Sequence, residues 1–165
     1  MAGSDAFNGG VDIDSLQSSI SAGETVVADT GNRFEQVLLD GRHVIRADEP
    51  VSAGGHDLGP GPYELLTMAL GACTSVTLRM YADRKQWPLK HVIVRLRHQK
   101  VHATDCAGCE STDSLVDRIH REIKLIGPLN DDQRERLLKI ASMCPVHRTL
   151  SSKIDIRTEL DREML

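Results

Sequence analysis

The chain has 165 residues, 40% hydrophobic and 27% charged, a balance that suits one globular domain and excludes a disordered polymer. A formal net charge of -4 argues against the clustered basic surface that nucleic-acid binding needs, and an aromatic content of 3% leaves few platforms on which bases could stack. The opening MAGSDAFNGG lacks the basic start and apolar run of a signal peptide, so the expected location is cytoplasmic, where the four cysteines point to redox or metal chemistry rather than a disulfide framework.

Residues 1–24 are expected to form a flexible N-terminal extension, although Ile13, Leu16 and Ile20 have the spacing of a short amphipathic helix. Residues 25–165 read as a single domain. Thr25–Ala28, Phe34–Leu39 and His43–Ala47 are β-prone runs, the last two joined by the hairpin signal Asp40-Gly41. The glycines and prolines of PVSAGGHDLGPGP, residues 50–62, predict a loop. A helix from Tyr63 to about Lys85 follows, roughly 35 Å long, stopped by Pro88. Its first turns are apolar on every face, which predicts a helix surrounded by protein, and Glu64, Thr67, Thr74, Ser75, Thr77 and Arg79 make it too polar to lie in lipid. Val92–Arg97 reads as a strand, and Ile119–Leu125 is assigned as a strand on its branched residues. A second helix is capped by Asn130 and carries Leu137, Ile140, Ala141 and Cys144 on one face, ending or kinking at Pro145. Ile154 and Ile156, alternating with charges, predict a half-exposed closing strand over Lys153–Leu160.

Cys73 lies deep in the long helix beside Gly71 and Ala72, whose small side chains leave room for a ligand or another backbone. A cysteine in a buried helix also serves as a small apolar filler, and the same two readings apply to Cys144 next to Pro145.

The string GPGPYELLTMALGACTSVTLRMYADRK, followed much later by MCPVHRTL, resembles the OsmC/Ohr family of osmotically induced and organic-hydroperoxide-resistance proteins, over roughly residues 25–160. The resemblance implies an α+β fold, with antiparallel sheets wrapped around long central helices in an intertwined homodimer, and active sites at the subunit boundary. It also implies a thiol-dependent peroxidase acting on organic hydroperoxides or hydrogen peroxide. Cys73 then matches the peroxidatic cysteine, oxidised to a sulfenic acid, and Cys144 the resolving partner that condenses with it. The resemblance further implies that a dithiol, lipoyl or another small one, reopens the disulfide, with no metal or organic cofactor required. Arg33, in TGNRFEQV, matches the arginine that stabilises the thiolate, or is an exposed strand arginine.

The chain departs from that pattern after the proline. Where the hydroperoxide-resistance branch places its glutamate directly there, this chain has Tyr63, with Glu64 one residue later. Glu64 and Cys73 would project from opposite faces of one helix, roughly 13 Å apart along its axis. Glu64 therefore acts on a partner subunit's site or through Arg33, or is a first-turn carboxylate favoured by the helix dipole. His147, in CPVHRTL, reads as a structural polar group. His98, His102, Cys106 and Cys109, in HQKVHATDCAGCE, form a further constellation that suits zinc, a redox dithiol or a plain exposed loop. The alternative to a peroxidase is accordingly a non-enzymatic redox or zinc-binding module built on the Cys106/Cys109 loop.

Overall fold

The computed structural model describes residues 12–102 and 115–161. They form an α+β fold with two antiparallel sheets and one long helix, in the order α1 (Ile13–Ser19), β1 (Val26–Asp29), β2 (Gln36–Leu39), β3 (Val44–Ala47), α2 (Pro62–Arg84), β4 (His91–His102), β5 (Leu115–Ile126), α3 (Asp131–Ala141) and α4 (Pro145–Leu150). The chain divides into two compact units, with the division inside α2 between Leu66 and Thr67.

In the first unit the apolar spacing of Ile13 and Leu16 does produce α1, whose N-cap Asp12 accepts the Ser15 N–H at 3.0 Å. β1, β2 and β3 form an antiparallel meander, with Val26 opposite Leu39 and Leu39 opposite Val44. The Asp40-Gly41 turn joins β2 to β3 because Gly41 takes φ 83 while Asp40 Oδ1 accepts the N–H groups of Arg42 at 3.0 Å and His43 at 2.7 Å. Period-2 alternation buries Val37 and Leu39, while Val27 and Ile45 stay exposed around a shallow apolar depression.

The loop after β3 is organised by a buried carboxylate. Asp48 Oδ1 accepts the Glu49 N–H at 2.8 Å, and Oδ2 accepts those of His56 at 2.9 Å and Leu58 at 3.4 Å. A Cβ at Gly55 would collide with the Glu49 carbonyl, and one at Gly59 with the Arg46 carbonyl, which explains why the glycines recur here.

In the second unit β4 and β5 pair over their full lengths, from His91 opposite Ile126 to His102 opposite Leu115. Both strands run well past the apolar cores that mark them in the sequence, because alternation continues through charged pairs such as Lys100 opposite Asp117. One face carries Val92, Val94 and Leu96 opposite Leu125, Ile123 and Arg121, and the middle of the other is polar, with Arg95, Arg97 and Gln99 opposite Glu122, His120 and Arg118. Leu78 and Ala82 of α2 join Leu137, Ile140 and Ala141 of α3 in a core that also takes in Leu89 and Leu129. α3 starts where the sequence marks it, with a reciprocal capping box: Asn130 accepts the Gln133 N–H at 2.9 Å, and Gln133 Oε1 accepts the Asn130 N–H at 3.1 Å.

Three expectations are corrected. Within the single chain α2 is covered along one stripe only: Leu70, Gly71, Thr74, Leu78 and Ala82 are buried, but Met68, Val76 and Met80 are 57%, 57% and 67% exposed. Its length and apolar content would suffice to cross a membrane, yet its buried stripe packs within the protein. Lys153–Leu160 forms no strand, since among the described residues it meets no sheet edge to supply ladder hydrogen bonds, and Ile156 is 81% exposed. Finally, Cys144 lies beyond α3, which ends at Ala141; it is the N-cap of α4, where Pro145 fills the first helical position that tolerates a missing N–H.

Burial pushes the Asp48 carboxyl upward, but the His56, Glu49 and Leu58 N–H groups outweigh it and hold the pKa below the ordinary value. A lowered folded-state pKa contributes stability that is present above the unfolded value and lost as pH falls through the folded one. Asp48→Asn should therefore melt below wild type at neutral pH, and thermal melts should show the gap closing once pH drops under about 4.

Candidate active site around the two cysteines

Cys73 sits halfway along α2 and is half-buried. On one side are the buried Leu70, Gly71 and Thr74, and on the other an exposed stripe at four-residue spacing, Met68, Ala72, Val76 and Met80. The room left by Gly71 is taken by the sheet: a Cβ there would stand 2.9 Å from Leu96 Cδ1, so the small residue permits α2 to lie close on β4. The thiol is thus placed at the margin between a packed face and an open apolar one.

Cys144 is fully buried and, like Cys73, forms no disulfide among the described residues. As N-cap of α4 its Sγ accepts the His147 N–H at 3.3 Å, and it lies 3.7 Å from Thr74 Oγ1. Thr74 adjoins Cys73, and successive Cα atoms are roughly 3.8 Å apart, so the fold brings Cys144 against the residue next to Cys73 although 70 positions separate Thr74 from Cys144.

Thr74 is itself fully buried and engaged on every side. Its hydroxyl donates to the Leu70 carbonyl at 2.8 Å and accepts from Arg121 Nη1 at 2.9 Å. The same Arg121 nitrogen also donates to the Ala141 carbonyl at 3.2 Å, so one guanidinium ties β5 to both α2 and the end of α3. Neither Thr74 nor Arg121 was among the expected site residues. The available signal was the phase of β5: Ile119, Arg121, Ile123 and Leu125 share one face, which places a charged side chain on the side that packs against helices.

Arg33 and Glu64 belong to the first unit. Arg33 is exposed in the β1–β2 turn with φ 54, rather than in a strand; its guanidinium lies beside Gly54 and 6.0 Å from the Phe34 ring centre. Glu64 is exposed in the first turn of α2, where its carboxylate approaches Gly61 closely enough that a Cβ there would stand 2.7 Å from Oε2. Of the histidine–cysteine constellation, His98 is committed to Asp117, Nε2 to Oδ1 at 2.8 Å, with Lys100 on the same oxygen at 3.1 Å. Those two contacts, His98 first, hold the Asp117 carboxyl below its usual range. His102 ends β4, and Cys106 and Cys109 lie outside the described residues.

A family model described as OsmC-like protein matches residues 54–159. Among solved structures, a Psychrobacter arcticus protein assigned to osmotic stress induction and detoxification response matches with TM-score 0.60 at 20% identity, covering 79% of this chain and 88% of that one. The organic hydroperoxide resistance protein OsmC of Legionella pneumophila matches with TM-score 0.52 at 20% identity, over 77% and 87% of the two chains. The organic hydroperoxide resistance protein OhrB of Bacillus subtilis matches with TM-score 0.55 at 15% identity, over 84% and 96%. No curated protein sequence matches.

The unequal burial of the two thiols has a direct chemical readout. In the native reduced protein, iodoacetamide should alkylate Cys73 at least about a hundredfold faster than Cys144, whose reaction must wait for local opening, and peptide mapping should show the difference vanish in denaturant.

Proposed function

This chain belongs to the OsmC-like protein family, and we propose that it is a thiol-dependent peroxidase in which Cys73 is the peroxidatic and Cys144 the resolving cysteine. The observation that supports this reading is the contact of the buried Cys144 thiol with Thr74, beside a half-exposed Cys73. The thiolate of Cys73 attacks the O–O bond and keeps one oxygen as a sulfenic acid. The other oxygen departs and takes up a proton as an alcohol, or as water when the substrate is hydrogen peroxide. Cys144 then attacks the sulfenic sulfur, its proton leaving with the hydroxyl as water, and a small dithiol, lipoyl or similar, reduces the disulfide by exchange. The sequence of steps needs no metal and no organic cofactor.

The apolar surface beside Cys73 favours organic hydroperoxides as substrates. Arg33 and Glu64 enter by their places in the family pattern, Arg33 as the cation for the Cys73 thiolate and Glu64 as the carboxylate that steadies it, with Glu64 displaced by one residue through Tyr63. Reduced thiols and a dithiol donor suit the cytoplasm. A homodimer accounts for the open stripe Met68, Val76 and Met80, since a contiguous apolar face is a surface that another chain covers.

The test is peroxide consumption with excess dithiol. Cys73→Ser should abolish turnover, Cys106→Ser should leave it intact, and Arg33→Ala should slow it by about tenfold or more; equal activity in wild type and Cys73→Ser would dismiss the reading. Sedimentation should report a dimer for the wild type, and Val76→Lys combined with Met80→Lys should shift it to the monomer.

A further inference from the structure

The hydrogen bonds around Thr74 have a feature that packing alone does not require: one hydroxyl proton faces two acceptors. The Leu70 carbonyl, at 2.8 Å, and the Cys144 sulfur, at 3.7 Å, both lie within reach of Thr74 Oγ1. The shorter contact takes the proton while Cys144 carries its own. In that state Thr74 Oγ1 accepts twice, from Arg121 Nη1 at 2.9 Å and from the Cys144 S–H, while Cys144 accepts the His147 N–H at 3.3 Å. All of these groups belong to the second unit, and both Thr74 and Cys144 are completely buried, so no bulk water substitutes for a missing partner.

As Cys144 attacks and passes its proton to the departing sulfenic hydroxyl of Cys73, the set of partners changes, because the sulfur can then only accept. The Leu70 carbonyl is inside α2 and keeps its helical N–H, so it tolerates loss of the Thr74 hydroxyl. We propose that Thr74 is a positioning residue for the resolving step, rotating its single proton from the Leu70 carbonyl to the Cys144 sulfur as that sulfur becomes an anion, with Arg121 anchoring the Thr74 oxygen. Rotation about one C–O bond completes the change and no backbone moves. The anionic sulfur then has two donors, the Thr74 O–H and the His147 N–H, and Arg121 polarises the first of them. The step balances: Cys144 S–H plus Cys73 sulfenic acid give the disulfide and water. Hydroxyl rotation neither consumes nor releases a proton.

This inference rests on the peroxidase reading, and the experiment separates the two. One equivalent of peroxide is added to the reduced full-length protein, and the Cys73 sulfenic acid is followed with dimedone and mass spectrometry while the Cys73–Cys144 disulfide is followed by peptide mapping. Thr74→Val, which keeps the shape and removes the hydroxyl, should form the sulfenic acid at the wild-type rate but convert it to disulfide about ten- to a hundredfold more slowly. Thr74→Ser should restore conversion to within a few-fold of wild type, which a purely structural role for the methyl-bearing side chain would not produce. Arg121→Gln should show the same selective delay and serves as the second variant if Thr74→Val fails to fold. Disulfide formation at the wild-type rate in a folded Thr74→Val or Arg121→Gln protein overturns the inference while leaving the peroxidase reading intact. Absence of both sulfenic acid and disulfide in the wild type overturns the peroxidase reading and this inference with it.

Discussion

The second unit depends on how a partly buried guanidinium is satisfied. Arg121 projects from the apolar face of β5 toward α2 and α3, and a charge placed there without partners would be costly. Its partners are the Thr74 hydroxyl and the Ala141 carbonyl, at the end of α3 where the last carbonyls have lost their helical donors. That one side chain therefore fixes the phase of α2 against the sheet and closes the C-terminus of α3. With both fixed, the Ser142–Met143 turn delivers Cys144 to the N-cap of α4 and its sulfur to Thr74. The meeting of the cysteines' neighbourhoods is a consequence of satisfying a polar group, on a core otherwise made of leucine, isoleucine and alanine.

Much of the fold was legible because the determining signals are local. Asp40-Gly41 dictates its hairpin through a glycine at positive φ and a side chain that collects two N–H groups, and Asn130 with Gln133 writes a helix start into four residues. The long helix and the two cysteines were legible as well. Thr74 and Arg121 were not singled out, because their significance lies in a contact between residues 47 positions apart, and a threonine inside a helix normally announces nothing. Cys144 was assigned to the wrong side of a helix end for a related reason: Pro145 reads equally as a terminator of α3 and as the opening of α4, and the turn at Ser142 decides between them.

The misjudged surfaces share one cause. The patterning of α2 and of Lys153–Leu160 describes apolar faces correctly, but periodicity states that a face seeks cover without stating which chain provides it. Met68, Val76, Met80, Ile154 and Ile156 remain exposed in the single chain, and a strand pattern without a ladder partner stays extended and open. Cys73 borders the Met68, Val76 and Met80 stripe, so whatever covers that stripe also shapes the entrance to the thiol.

The difference in burial between the two sulfurs also sets a direction for the closing half of the proposed cycle. A dithiol approaching from solvent meets Cys73, which is half-exposed, and not Cys144, which is fully covered. Thiol–disulfide exchange requires the incoming sulfur to attack one atom while the other leaves, and the leaving sulfur departs as an anion. Attack at Cys73 would make Cys144 the leaving group, and its anion would land where the His147 N–H is already aimed and where the Thr74 hydroxyl needs only to turn from the Leu70 carbonyl. The two donors that hold the Cys144 sulfur when it attacks the sulfenic acid are the two that receive it when the disulfide opens. In the proposed cycle one buried arrangement would serve both directions, leaving the half-exposed Cys73 sulfur to meet peroxide and reductant in turn.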